Sequence, residues 1–128
     1  MTTVAERIKL LRAVLTERIV VLDGAFGTFI LDKHLSAEDY GGASFDGCNE
    51  NIVRTQPHLI REMHRAFLEA GADIIETASF QASPIVLAEY GLAAHTREIN
   101  RLAAAIAREE AAKFSTPDKP RFVAGSMG

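Results

Sequence analysis

One cysteine in 128 residues excludes a good deal. Cys48 has no second cysteine for an internal disulfide, and it cannot build a Cys-rich zinc site within this chain. No apolar run reaches membrane-spanning length. A continuous signal-peptide core is missing too, because Glu6, Arg7, Lys9 and Arg12 interrupt the N-terminus. Neither charge sign dominates. A net charge of -3 argues against nucleic acid and anionic membranes as main partners. These absences leave a cytoplasmic protein as the expectation.

What is present suits a folded domain. The chain is 48% hydrophobic and 24% charged, near the globular norm, which argues against disorder. Its length fits one domain with a real core.

Hydrophobic spacing predicts the elements. Val4, Ile8, Leu11 and Leu15 recur at helical intervals, so a short amphipathic helix opens the chain. Residues 19–22 are continuously apolar and end in Asp-Gly, which reads as a buried strand. A short helix is expected within 24–35. Residues 36–56, rich in Asp, Gly, Asn and Ser, read as a long irregular and functional loop. Pro57 starts a regular helix with Ile60, Met63 and Phe67 on one face, and Gly71 caps its end. Residues 73–77 read as a strand and 84–90 as a short helix stopped by Gly91. Thr96 is expected to cap a longer helix with a stripe of Ile99, Leu102, Ala103, Ile106 and Ala107. Its charged end, 108–113, reads as solvated. A third strand falls at 122–124, followed by Gly-Ser-Met-Gly.

Strands alternating with helices imply parallel pairing with right-handed crossovers. An open doubly wound sheet and a (β/α)8 barrel both fit. A complete barrel needs roughly 250 residues, so this chain would hold about half of one. In either fold, function gathers at the carboxyl ends of the strands. Those ends are Asp23-Gly24, Thr77-Ala78-Ser79 and the final Gly-Ser-Met-Gly.

Each candidate has a plain alternative. Asp23 is either a site residue or a cap for the following helix. Gly24 and Gly27 serve positive φ or close backbone approach. Gly-Ala-Phe-Gly-Thr is neither a dinucleotide fingerprint nor a P-loop, so phosphate binding is unsupported. Glu76 and Thr77 could satisfy local backbone, although the Thr77 hydroxyl could also serve a ligand. Cys48 reads as a small loop residue. His34, His58, His64 and His95 lack metal-ligand spacing, and His64 is expected half exposed on its helix.

Three segments carry a resemblance: VVLDGAFGT, GCNENIVRTQPHLIREMHRAFLEAGADIIETASF and PRFVAGSMG. In that order, from about Ile19 to Gly128, they resemble the start of the homocysteine-binding domain of cobalamin-dependent methionine synthases, within the homocysteine S-methyltransferase family. The Asn-Glu-Asn-x-Val loop is similar to the cobalamin-dependent members more than to the smaller stand-alone enzymes. The resemblance implies an α/β fold: the N-terminal part of a (β/α)8 TIM barrel, with about three parallel strands and crossover helices. Residues 1–17 would be an N-terminal helix and 18–128 the first part of the barrel.

The implied reaction is methyl transfer from methylcobalamin to zinc-activated homocysteine, giving methionine, with methyltetrahydrofolate restoring the methyl group. A free thiol has a pKa of about 8.5, and zinc coordination deprotonates it. The resemblance places Asp23 and Gly24 at the amino-acid head of homocysteine, with Thr77 lining the pocket and Phe26 walling it. A carboxylate suits an ammonium and a backbone N–H suits a carboxylate. It assigns no catalytic or metal-ligating residue to this chain. The family's zinc cysteines lie in the second half of the barrel, and cobalamin and methyltetrahydrofolate bind other domains. Ala78 stands where the family usually has Asn, so a polar contact at that rim is expected to be lost. On this resemblance Gly128 is an arbitrary stop. The alternatives are a stand-alone cobalamin-independent homocysteine S-methyltransferase and a non-catalytic binding module.

Overall fold

A computed structural model describes residues 2–128. Its helices are α1 (Val4–Glu17), α2 (Phe26–Leu31), α3 (Ile52–Thr55), α4 (Pro57–Glu69), α5 (Pro84–Ala88) and α6 (Thr96–Phe114). Its strands are β1 (Ile74–Glu76), ahead of α5, and β2 (Phe122–Ala124), after α6. Single 3-10 turns occupy Ala43–Phe45, Asn49–Asn51 and Ala93–His95. No helix among the described residues is long and apolar enough to cross a membrane.

β1 and β2 pair in parallel, with Ile74 opposite Phe122, Ile75 opposite Val123 and Glu76 opposite Ala124. Helices α5 and α6 form the connection between them, so the architecture is α/β. Ile75 is fully buried in one cluster with Leu68, Ala72 and, from α6, Ala107 and Ala111. Side chains alternate along a strand, so Ile74 and Glu76 face away from those helices. Alanines at 103, 107 and 111 let α6 lie close to its neighbours.

The expected first strand is reduced to one parallel bridge, Leu22 with Ile74. The Val21 carbonyl accepts from the Asp73 N–H at 2.8 Å, and the Asp23 N–H donates to Ile74 at 2.9 Å. With the Ile74 N–H also donating to the Val21 carbonyl at 3.2 Å, three such bonds hold the chain beside β1 without making a longer ladder. Apolar residues on this segment stay open, with Ile19 at 88% and Val21 at 53% exposure. Asp73 anchors it instead: Arg18 forks onto both carboxylate oxygens at 2.8 and 2.9 Å, and the Val21 N–H donates to Oδ2. That fork holds the Asp73 pKa down to about 2, against the opposing effect of burial.

α1 begins with a capping box between Thr3 and Glu6. Its apolar stripe is only partly used: Val14 is buried, while Val4, Ile8 and Leu15 are exposed. Arg7 lies over the Phe122 ring at 4.5 Å and donates to the Arg121 carbonyl, which docks α1 against β2.

Four further expectations need correction. Residues 36–56 form compact turns, with Glu50, Asn51, Ile52 and Val53 buried. The Asn51 amide donates to the Tyr40 carbonyl at 2.7 Å and ties the segment to itself. At Gly41, φ is +110°, and a Cβ would crowd Phe45, Asn51 and Thr55. Thr96 is the first residue of α6, not its cap; its hydroxyl donates back to Ala93. The end of α6 is not wholly solvated, because Glu110 is fully buried and bonded to Arg61 and Lys113. His64 is likewise fully buried, not half exposed.

Candidate functional site

The ends of the Leu22 segment, β1 and β2 meet at one rim, around a pocket of about 450 Å³. Asp23, Gly24, Phe26 and Thr77, the four residues singled out from sequence, all line it.

Asp23 is not a helix cap. The α2 cap position is Ala25, and no side chain bonds there. Asp23 reaches across to β1, where Oδ2 accepts the Glu76 N–H at 3.1 Å. Oδ1 is buried without a partner. Burial pushes the Asp23 pKa up to about 6; the Glu76 N–H opposes the rise and the Glu76 carboxylate adds to it. The carboxylate is therefore poised to gain from a cation.

Gly24 serves close approach. A Cβ there would lie 3.3 Å from the Phe67 ring on α4. Phe26, half-buried at the start of α2, supplies an apolar wall, as does Met63 from α4.

The Thr77 hydroxyl is held in a closed circuit. It accepts from the Ser126 N–H at 2.9 Å and donates to Ser79 Oγ at 2.6 Å. Ser79 in turn donates to the Ser126 carbonyl at 3.0 Å. The circuit fastens the end of β1 to the chain beyond β2. Ala78 points elsewhere: it is fully buried in the core and does not line the pocket.

Sequence reading missed Asn49, Glu50 and Gln81, which also line the pocket, as does Ser126 from the final Gly-Ser-Met-Gly named above. Glu50 is 6% exposed, and its Oε1 accepts the Gln81 N–H at 3.3 Å. The signal was a carboxylate between two asparagines just before the apolar pair Ile52 and Val53. No lysine, arginine or histidine lines the pocket, whereas Asp23, Glu50 and Glu76 do.

A metal does not fit here. Among the described residues no three His, Cys, Asp or Glu side chains gather as ligands. Cys48 is buried and off the pocket, and burial pushes its thiol pKa up, away from the thiolate that zinc takes.

Parallel strand ends around a pocket lined by three carboxylates define an α/β protein with its candidate site at the carboxyl rim. The family model for homocysteine S-methyltransferase matches residues 20–128. Methionine synthase of Mycobacterium leprae (strain TN) is 40% identical over 114 residues, 89% of this chain and 9% of the relative. Methionine synthase of Mycobacterium tuberculosis (strain ATCC 25618 / H37Rv) is 39% identical over 115 residues, 90% of this chain and 10% of the relative. The metallated form of the Escherichia coli homocysteine methyltransferase MmuM superposes with a TM-score of 0.73 at 30% identity, covering 92% of this chain and 41% of that one. Its oxidized form gives 0.74 at 31%, covering 92% and 40%. The chain spans about a tenth of the length of these curated relatives. It belongs to the homocysteine S-methyltransferase family.

Proposed function

We propose that residues 18–128 are the first part of a homocysteine-binding (β/α)8 barrel, preceded by a helix at 1–17, in a methionine synthase. The pocket takes the amino-acid head of homocysteine. Asp23 receives the ammonium on its unpartnered oxygen, and the backbone at Gly24 offers an N–H to the carboxylate. Phe26 and Met63 cover the methylenes. Thr77 keeps the rim in shape through Ser79 and Ser126. The single observation behind this reading is the buried, unpartnered Asp23 Oδ1 at a pocket lined by all four expected residues.

Zinc, which would hold the homocysteine sulfur as a thiolate, finds no ligand set among the described residues, and the resemblance places its ligands in later strands of the barrel. The family resemblance assigns cobalamin and methyltetrahydrofolate to other domains of the full-length protein. The likeness to MmuM favours a second reading, a stand-alone homocysteine methyltransferase. Methionine formation by the full-length protein, with and without cobalamin, separates the two. Loss of product without cobalamin supports the synthase, and retained product supports the stand-alone enzyme. No methionine from homocysteine under any condition overturns both.

A further inference from the structure

Glu50 is the residue whose burial the fold does not explain. It sits in the Asn49–Asn51 turn, 6% exposed, on the same pocket as Asp23. One oxygen accepts a backbone N–H from Gln81 at 3.3 Å. None of the ion pairs among the described residues includes Glu50. Its second oxygen has no hydrogen bond and is not sealed off, so a cation entering the pocket can meet it. Glu110 makes the contrast: fully buried, it is met by Arg61, Arg65 and Lys113. Glu76, the third acid at the pocket, is only half-buried, so water can serve it.

A primary ammonium carries three N–H donors and can reach two carboxylates together. Asp23 offers one unpartnered oxygen to such a group, and Glu50, on the same pocket and in no ion pair among the described residues, offers a second carboxylate. We propose that Glu50 is a specificity-determining residue, the second carboxylate for the substrate ammonium, so that the pocket demands an α-amino group on its thiol substrate. This rests on the homocysteine reading above. It extends that reading by assigning amino-group selectivity to a residue outside the Asp23–Gly24 turn.

The competing role is purely structural, with Glu50 holding the Phe80–Gln81 turn as a pocket wall. Two variants of the full-length enzyme separate the roles. Glu50→Gln keeps an oxygen for the Gln81 N–H and removes the charge; Glu50→Ala removes both. The substrates are homocysteine and 4-mercaptobutanoate, which keeps the thiol and carboxylate but lacks the amine. For Glu50→Gln we expect KM for homocysteine to rise roughly tenfold with kcat little changed, the scale of one hydrogen bond to a charged group. Preference for homocysteine over the des-amino thiol should shrink by a similar factor. Glu50→Asp, which keeps the charge, should fall between Glu50→Gln and wild type in both measures. Normal KM and preference in Glu50→Gln, with a raised KM in Glu50→Ala alone, would assign Glu50 to the wall and overturn the proposal. A wild-type enzyme that does not use homocysteine at all removes the underlying reading, whatever the variants do.

Discussion

The Asp23 carboxylate holds the Glu76 backbone N–H with one oxygen, at 3.1 Å, and keeps the other buried and unpartnered. One side chain thus does two things. It fixes the first extended segment to the rim of β1, and it keeps a second oxygen unpartnered at the pocket that both segments line.

Replacing Asp23 by Asn separates these roles, because the amide oxygen can still accept from Glu76. In the full-length enzyme, Asp23→Asn should weaken homocysteine binding by about 1.5–3 kcal/mol, the range for a hydrogen bond to a charged group. Remethylation of cobalamin from methyltetrahydrofolate should continue nearly unaltered, since the proposed domain for it lies elsewhere. An unchanged KM for homocysteine would leave Asp23 as a strap between two strands and nothing more.

The same carboxylate predicts a pH dependence. Its pKa in the folded, unliganded protein is raised to about 6 from an ordinary 3.8. Below pH 6 it is protonated and cannot pair with an ammonium; above pH 6 it can. The substrate amine keeps its proton well above this range. Homocysteine affinity should therefore improve as pH rises through about 6, and titration of binding against pH reads this directly. The step should vanish in Asp23→Asn. A flat wild-type profile from pH 5 to 7 counts against Asp23 as the ammonium partner.

Local chemistry explains which elements could be anticipated. Pro57 and Gly71 bracket α4 because the first needs no N–H at a helix start and the second sits at φ +109° just past the end. The long apolar stripe of α6 is equally local. The segment 19–22 misled because a run of branched residues signals a strand, while ladder length depends on distant partners. His64 was partly legible: Ile60, His64 and Leu68 share one stripe at i, i+4 and i+8, and all three are buried. A histidine in an apolar stripe reads as an exception until α6 is seen against it. Glu50 and Glu110 were not legible, since what buries a carboxylate, and what pairs with it, comes from other parts of the chain. Asp23, Gly24, Phe26 and Thr77 were found through the family resemblance; residue chemistry alone left Asp23 divided between a cap and a site.

His64 yields a stability prediction. Both ring nitrogens are buried without a partner. Burial lowers the pKa to about 4 from 6.5, against the attraction of the Glu110 carboxylate on α6. Arg61, Arg65 and Lys113 face the same glutamate and offset its charge. The folded state thus binds fewer protons than the unfolded state between those two values. Stability contributed by the neutral ring is complete above pH 6.5 and is lost as pH falls toward 4. His64→Leu in the full-length protein should be at least as stable as wild type at pH 7 and lose less stability on acidification. Melting temperatures across pH 4–7 test it, and parallel curves for the two proteins would contradict it.

Exposed apolar surface predicts how residues 1–128 behave when expressed alone. The accessible surface is 7709 Å², against roughly 6,700 Å² expected for a compact monomer of this mass. Much of the open apolar surface lies where a further layer would pack. Ile19, Val21 and Leu22 are exposed on the first segment and Val123 on β2, while Val4, Ile8 and Leu15 are open on α1. The sheet order is β1–β2, and the first segment joins β1 through a one-residue bridge, so the outer sides of that segment and of β2 lack a ladder partner. Residues 1–128 alone should therefore self-associate or fold loosely, and should not methylate homocysteine. Adding the remainder of the proposed barrel should convert them to a well-behaved species. Light scattering gives the size, and a denaturant melt gives the cooperativity. A monodisperse monomer with one sharp transition would mean that the open face and edges are tolerated, and would favour a self-contained α/β domain over the first part of a barrel.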